Sequence, residues 1–148
     1  MMATIHGYYL SKIRYDKNFQ KRVDKYLNRE SWNIREWINY QDDKLETLLE
    51  ESRKYVPFYR NYWSHHMDSF LKLENWPIIS KKTIMENPLL FIDNRYRNNR
   101  LYKDHTSGTT GSPLDIYLDY DSVREQYAFF YARVKFKYGI KFNDKWAI

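Results

Sequence analysis

Residues 101–119 read LYKDHTSGTTGSPLDIYLD, and here the chain changes its period. Leu114, Ile116 and Leu118 alternate with Asp115, Tyr117 and Asp119, the pattern of a strand with one buried face. Leu101 to His105 is the predicted hairpin partner, which leaves TSGTTGSP, Thr106 to Pro113, as the connecting loop. Glycines at 108 and 111 let the backbone adopt turns closed to other residues and expose N–H groups, while the Ser and Thr hydroxyls add neutral donors. Pro113 stiffens the exit into the second strand. This composition suits an oxyanion, although Ser, Thr and Gly between strands are also ordinary turn residues. The loop lacks the lysine and the spacing of a Walker P-loop, and it is not a dinucleotide fingerprint.

Outward from the loop, the pattern turns helical. Ser122 followed by Glu125 reads as a capping box. Val123, Tyr127, Phe130, Tyr131, Val134 and Tyr138 then mark one stripe of a long helix over Ser122–Tyr138, closed by Gly139. Lys145 to Ile148 reads as the start of an apolar strand. Upstream, Ser80 is placed to cap a short helix that Asn87-Pro88 ends. A helix over Asp42–Tyr55 carries Leu45, Leu48 and Leu49 on one face and a Glu50–Lys54 pair one turn apart, and Pro57 stops it. Between Asp16 and Asn28, Phe19, Val23, Tyr26 and Leu27 recur at helical spacing opposite a basic face, the pattern of a core-facing amphipathic helix.

The fold class these elements predict is α+β and helix-rich: a helical lead-in over residues 1–40, then a β-hairpin loop and a long helix within 41–148, in a single domain. Of the 148 residues, 43% are hydrophobic and 30% charged, an ordinary globular balance. Aromatics reach 19%, with 15 Tyr and 5 Trp, residues whose apolar bodies and polar tips want a wet edge or a partner. The 25 basic residues outnumber the 19 acidic ones for a net charge of +6, which favours acidic ligands through the long-range field. Without Cys the chain has no disulfide framework, thiolate zinc site or cysteine nucleophile, which fits a reducing compartment and a cytoplasmic location. Neither a signal peptide nor a membrane span is expected, because no apolar run reaches about 18 residues.

Two other groups invite a functional reading. His65 and His66 are adjacent, so they diverge on a helix or a strand, and no carboxylate cluster lies near them; no metal site is expected. His105 abuts the loop, where it could donate to a phosphate or finish the strand; without an acid or base partner the structural role is favoured, and His6 stands alone. The segment Asn94 to Arg100, NRYRNNR, mixes Arg with Tyr96 as nucleic-acid contacts do, but no nucleic-acid fold signature accompanies it, so it reads as a solvated loop.

The loop TSGTTGSP resembles the phosphate-loop signature of the adenylate-forming superfamily of acyl-CoA synthetases, luciferases and peptide-synthetase adenylation domains. Upstream, VPFYR at Val56 to Arg60 and WPIISKKTIMEN at Trp76 to Asn87 resemble the "vPyYr" and "lPiltK" stretches that precede this loop in the phenylacetate-CoA ligase-like branch. That branch includes proteins encoded with capsular polysaccharide genes, which the Tyr- and Lys-rich N-terminus is similar to. The resemblance runs in order from about Leu45 to Ile148.

The resemblance implies the N-terminal part of an adenylate-forming large domain. Thr106, Ser107, Gly108, Thr109, Thr110 and Gly111 would then wrap the phosphates of ATP with Mg2+ while a carboxylate attacks the α-phosphorus and releases pyrophosphate. Many superfamily members place Lys after the Pro; Leu114 stands there in this chain and leaves the phosphate charge to magnesium and to other residues. The adenine pocket, ribose-binding Asp, magnesium-ligating Glu and catalytic Lys of the family follow the loop, and none is assignable before Ile148. By itself the chain is therefore expected to bind ATP weakly or not at all and to be inactive, with no catalytic residue of its own. Its expected partners are a nucleotide, a carboxylic acid substrate and a complementing C-terminal chain, without nucleic acid. The alternative is a truncated non-catalytic protein that acts as an interaction module through exposed aromatic surface.

Overall fold

The computed structural model describes residues 2–96, 101–108, 111–141 and 144. Within them the chain is helix-rich with one two-stranded antiparallel sheet, an α+β class in the coarse sense. It divides into two compact units: the first 32 residues together with the chain from Asp119 onward, and Asn33–Leu118. No described helix is long and apolar enough to cross a membrane. The strand expected at Lys145 to Ile148 lies outside the described residues.

The first unit holds α1 (Met2–Arg14), α2 (Phe19–Asn28) and α6 (Tyr120–Phe130). The predicted helix from Asp16 begins instead at Phe19, because the Asp16 carboxylate accepts from the Asn18 N–H at 3.0 Å and so closes the turn before the helix. Phe19 and Val23 are buried with Ala128 and Ala132, and Tyr15, Tyr26, Leu27, Tyr127 and Tyr131 pack around them. Phe19 meets Tyr15 and Tyr131 edge to face, with ring centroids at 4.9 and 5.7 Å.

The long helix differs from its sequence reading in three ways. Its N-cap is Asp119, whose carboxylate accepts from the N–H groups of Asp121 and Ser122; Ser122 lies inside the helix and donates its hydroxyl to Asp119 at 2.6 Å. The predicted box partner Glu125 is drawn instead to α2. After Phe130 the helix widens into a π turn, Tyr131–Lys135, and then tightens into a 3-10 turn, Phe136–Tyr138, which Gly139 ends at φ 72° as predicted. The buried face also shifts: Ala128, Ala132 and Lys135 turn inward while Val134 and Tyr138 are exposed. Alanine at the contact lets helix backbones approach where Tyr127 and Tyr131 would hold them apart, so the small residues take the centre and the aromatics its flanks.

The second unit contains α3 (Ile34–Tyr55), α4 (Pro57–Trp63), α5 (Lys81–Glu86) and the hairpin of β1 (Tyr102–His105) with β2 (Asp115–Leu118). Helix α3 starts well before the predicted Asp42, because Asn33 and Glu36 form a reciprocal capping box. Pro57, which was to stop it, does so and opens α4. Leu49 is buried, but Leu48 is exposed. Glu50 and Lys54 form no ion pair, and the Lys54 ammonium lies 5.0 Å from the Tyr55 ring centroid.

The segments around VPFYR and WPII pack as an aromatic cluster. Phe58 stacks on Phe91 at 4.5 Å, Tyr59 meets Trp76 at 4.8 Å, and Trp63 meets Trp76 at 5.6 Å. As predicted, Ser80 caps α5, accepting from the Thr83 N–H at 3.1 Å.

Candidate functional site

The hairpin sets the position of the loop. Tyr102 pairs with Leu118 and His105 with Asp115, and the Lys103 ammonium crosses to Asp115 at 2.8 Å. That hydrogen bond and charge hold the Lys103 ammonium above the usual lysine range. The alternation expected for β2 is only partly realised: Leu114 and Leu118 are half-buried, but so is Tyr117, and Ile116 is exposed. A two-stranded ribbon buries a face only where another layer covers it.

Thr106 closes the mouth of the loop. Its backbone N–H donates to the Leu114 carbonyl at 3.0 Å, and its hydroxyl accepts from the Leu114 N–H at 3.0 Å. Inside this ring the chain turns at two glycines, Gly108 at φ 63° and Gly111 at φ 145°, both closed to side chains at low cost. The Gly111 N–H donates to the Gly108 carbonyl at 3.0 Å. Gly108 is confined by backbone: a Cβ there would lie 2.8 Å from the Gly111 carbonyl oxygen and 3.3 Å from the Pro113 nitrogen. The N–H groups of Ser107 and Gly108 have no hydrogen-bond acceptor among the described residues. Thr109 and Thr110 lie outside the described residues.

The structure brings to this loop a residue that local sequence patterns do not connect with it. The Lys81 ammonium, in the first turn of α5, donates to the Ser112 carbonyl. Lys81, Lys82, Met85 and Glu86 on one side and Gly111 and Ser112 on the other line a cleft of about 510 Å³. Lys82 is tied at 3.8 Å to Glu86 one turn on. The contact spans 31 residues of sequence. Its signal was the Lys-Lys pair that follows the Ser80 cap, in the stretch quoted above for its likeness to "lPiltK".

The remaining candidates have local roles. His65 Nδ1 lies 2.9 Å from the Asn61 carbonyl, and His66 Nδ1 lies 2.7 Å from the Tyr62 carbonyl with its ring stacked on Tyr62 at 3.8 Å; each binds back onto the end of α4. Among the described residues no group of three or more His, Asp and Glu gathers as a metal site. The His105 imidazole is exposed and has no hydrogen bond among the described residues. In the basic segment, Arg95 is not a free loop cation. Its guanidinium engages both carboxylate oxygens of Glu51 at 3.1 and 3.0 Å, binds Asp93 at 2.6 Å, and lies 4.0 Å from the Tyr55 ring centroid. These contacts push its pKa above the usual arginine value, and the hydrogen bond to Arg95 holds the Glu51 carboxyl below the usual carboxylate range. Arg97 and Arg100 lie outside the described residues, as does the side chain of His6.

No family model, no curated protein and no solved structure matches this chain.

Proposed function

We propose that the Thr106–Pro113 loop holds the phosphates of ATP in an adenylate-forming ligase of the phenylacetate-CoA ligase-like kind, serving capsular or extracellular polysaccharide biosynthesis. In this reaction a carboxylate oxygen bonds to the α-phosphorus, the bond from that phosphorus to the pyrophosphate oxygen breaks, and an acyl adenylate and pyrophosphate result. The protein's contribution is positioning and charge stabilisation. Thr106 fixes the mouth of the loop, while Ser107, Gly108, Thr109, Thr110 and Gly111 offer backbone N–H and hydroxyl donors. Magnesium bound with ATP neutralises part of the phosphate charge.

The observation that carries this reading is the Lys81 ammonium at the Ser112 carbonyl, on the edge of a loop turned by two glycines at positive φ. Leu114 stands where related loops have lysine, and Lys81 supplies a fixed positive charge to the same loop from a neighbouring helix.

The test is carboxylate-dependent exchange of labelled pyrophosphate into ATP, measured with protein expressed from the full open reading frame. Exchange that falls to background in Gly108→Val supports the reading. Exchange equal to wild type in that variant, or none by wild type across a panel of carboxylic acids, overturns it.

A further inference from the structure

A second cleft lies in the Asn33–Leu118 unit and shares no lining residue with the cleft beside the glycine loop. It has a volume of about 500 Å³ and is lined by Glu50, Arg53 and Lys54 from the last turns of α3, by Arg60, Trp63 and Ser64 at α4, and by Phe70 beyond. Arg53 and Lys54 have an ordinary reason to be there, because cations at a helix C-terminus oppose its negative end. Arg60 stands in the last turn of the next helix, where the same reason holds, and it reaches the same concavity from there.

Three cations thus share the cleft with one carboxylate, and no ion pair satisfies any of the three among the described residues. Like charges held together around a concave surface raise the local potential and draw in an anion. The cleft also has a flat apolar component. The Arg53 guanidinium lies over the Phe70 ring at 4.3 Å, and the Trp63 indole forms part of the wall. Trp63 is 6% exposed, and its Nε1–H has no hydrogen-bond partner among the described residues.

We propose that this cleft binds a small phosphate monoester carrying a planar apolar group. The surplus of two positive charges matches a monoester, which carries about −1.5 to −2 near neutral pH. Arg53 and Arg60 present the forked donors that suit phosphate oxygens. The stacked Arg53–Phe70 pair and the Trp63 wall accept a flat ring. The volume lies within the range of small-molecule sites, about 300–1,000 Å³, and is too small for a folded partner.

The experiment is calorimetric titration of the purified chain with phenyl phosphate and with AMP, in EDTA, with phenol, adenosine and inorganic phosphate as controls. Both esters are expected to bind, each at least about tenfold more tightly than its unphosphorylated parent and than inorganic phosphate. Arg60→Glu and the milder Arg60→Gln, each checked for wild-type circular dichroism, are expected to weaken binding of both esters at least tenfold and at least threefold. Gly108→Val is expected to leave it within twofold of wild type, which separates this cleft from the loop. AMP bound without phenyl phosphate, and lost in Gly108→Val but not in Arg60→Glu, assigns the binding to the loop and overturns the proposal. Wild-type affinity in both Arg60 variants, or no binding of phenyl phosphate at millimolar concentration, also overturns it.

Discussion

The Arg22 guanidinium meets the Glu125 carboxylate at 3.2 Å, joining α2 to α6 across 103 residues of sequence. The same guanidinium binds Asp16 at 2.7 Å and Asp121 at 3.1 Å, and Glu125 also accepts from Lys25 at 2.6 Å and from the Tyr26 hydroxyl. Arg22 is 14% exposed and Glu125 35%, so solvent screens the network only in part. Glu125→Gln keeps the shape but removes the charge that three donors share. It is expected to cost about 1–2 kcal/mol, read as a lower midpoint in urea unfolding with an unchanged slope.

Acid should act through the same carboxylate. Burial alone would raise the Glu125 pKa, but the hydrogen bonds from Lys25 and Tyr26, with the charges of Lys25 and Arg22, outweigh it and hold the pKa below the ordinary 4.5. A depressed carboxyl contributes stability that is complete above its unfolded value and is lost as pH falls through the folded value. The thermal midpoint of the wild type should therefore fall below about pH 4.5, and Glu125→Gln should flatten that fall. Parallel curves for the two proteins would refute the assignment.

Ala128 is fully buried and Ala132 nearly so, against Phe19 and Val23. Ala128→Leu adds volume where the helix backbones approach and is expected to cost about 1–3 kcal/mol. Val134→Leu, at an exposed position of the same segment, is expected to fall within about 0.5 kcal/mol of wild type. Thermal unfolding of both variants distinguishes this packing from the stripe read from periodicity, which would reverse the order.

Gly7 and Gly108 should respond oppositely to alanine. Gly7 lies inside α1, and an added Cβ meets nothing within 4 Å, so Gly7→Ala is expected to raise stability by about 0.5–1 kcal/mol through helix propensity. Gly108→Ala forces a side chain to φ 63° with its Cβ 2.8 Å from a carbonyl oxygen, and is expected to cost about 1–3 kcal/mol locally. Amide hydrogen exchange across 101–118 is the measurement, because the loss is confined to the hairpin.

Lys81→Ala removes the ammonium at the Ser112 carbonyl from an exposed helix turn. Stability is expected to stay within about 0.5 kcal/mol, while pyrophosphate exchange falls at least about tenfold. Unchanged exchange would refute the role proposed for Lys81 at this loop.

Sequence alone determined what depends on neighbours within a turn or two. The Ser80 cap, the stop at Pro57, the hairpin around the glycine loop and the end at Gly139 each rest on a side chain that meets its own backbone, or on a φ that only certain residues hold, so the pattern carries the whole cause. Tertiary structure decided what depends on distant partners. Asp119 rather than Ser122 caps α6, and Glu125 is spent on Arg22, Lys25 and Tyr26; neither choice is visible in an S-x-x-E pattern that both residues fit. Lys135 is buried and Val134 exposed because packing favoured the alanine face and a π turn over the larger apolar stripe. Lys81 belongs to the loop only because α5 lies against it, and Arg60 joins Arg53 only because α4 follows α3 on a concave side. Periodicity reports what a helix would like to bury, and the partner that does the burying lies tens of residues away.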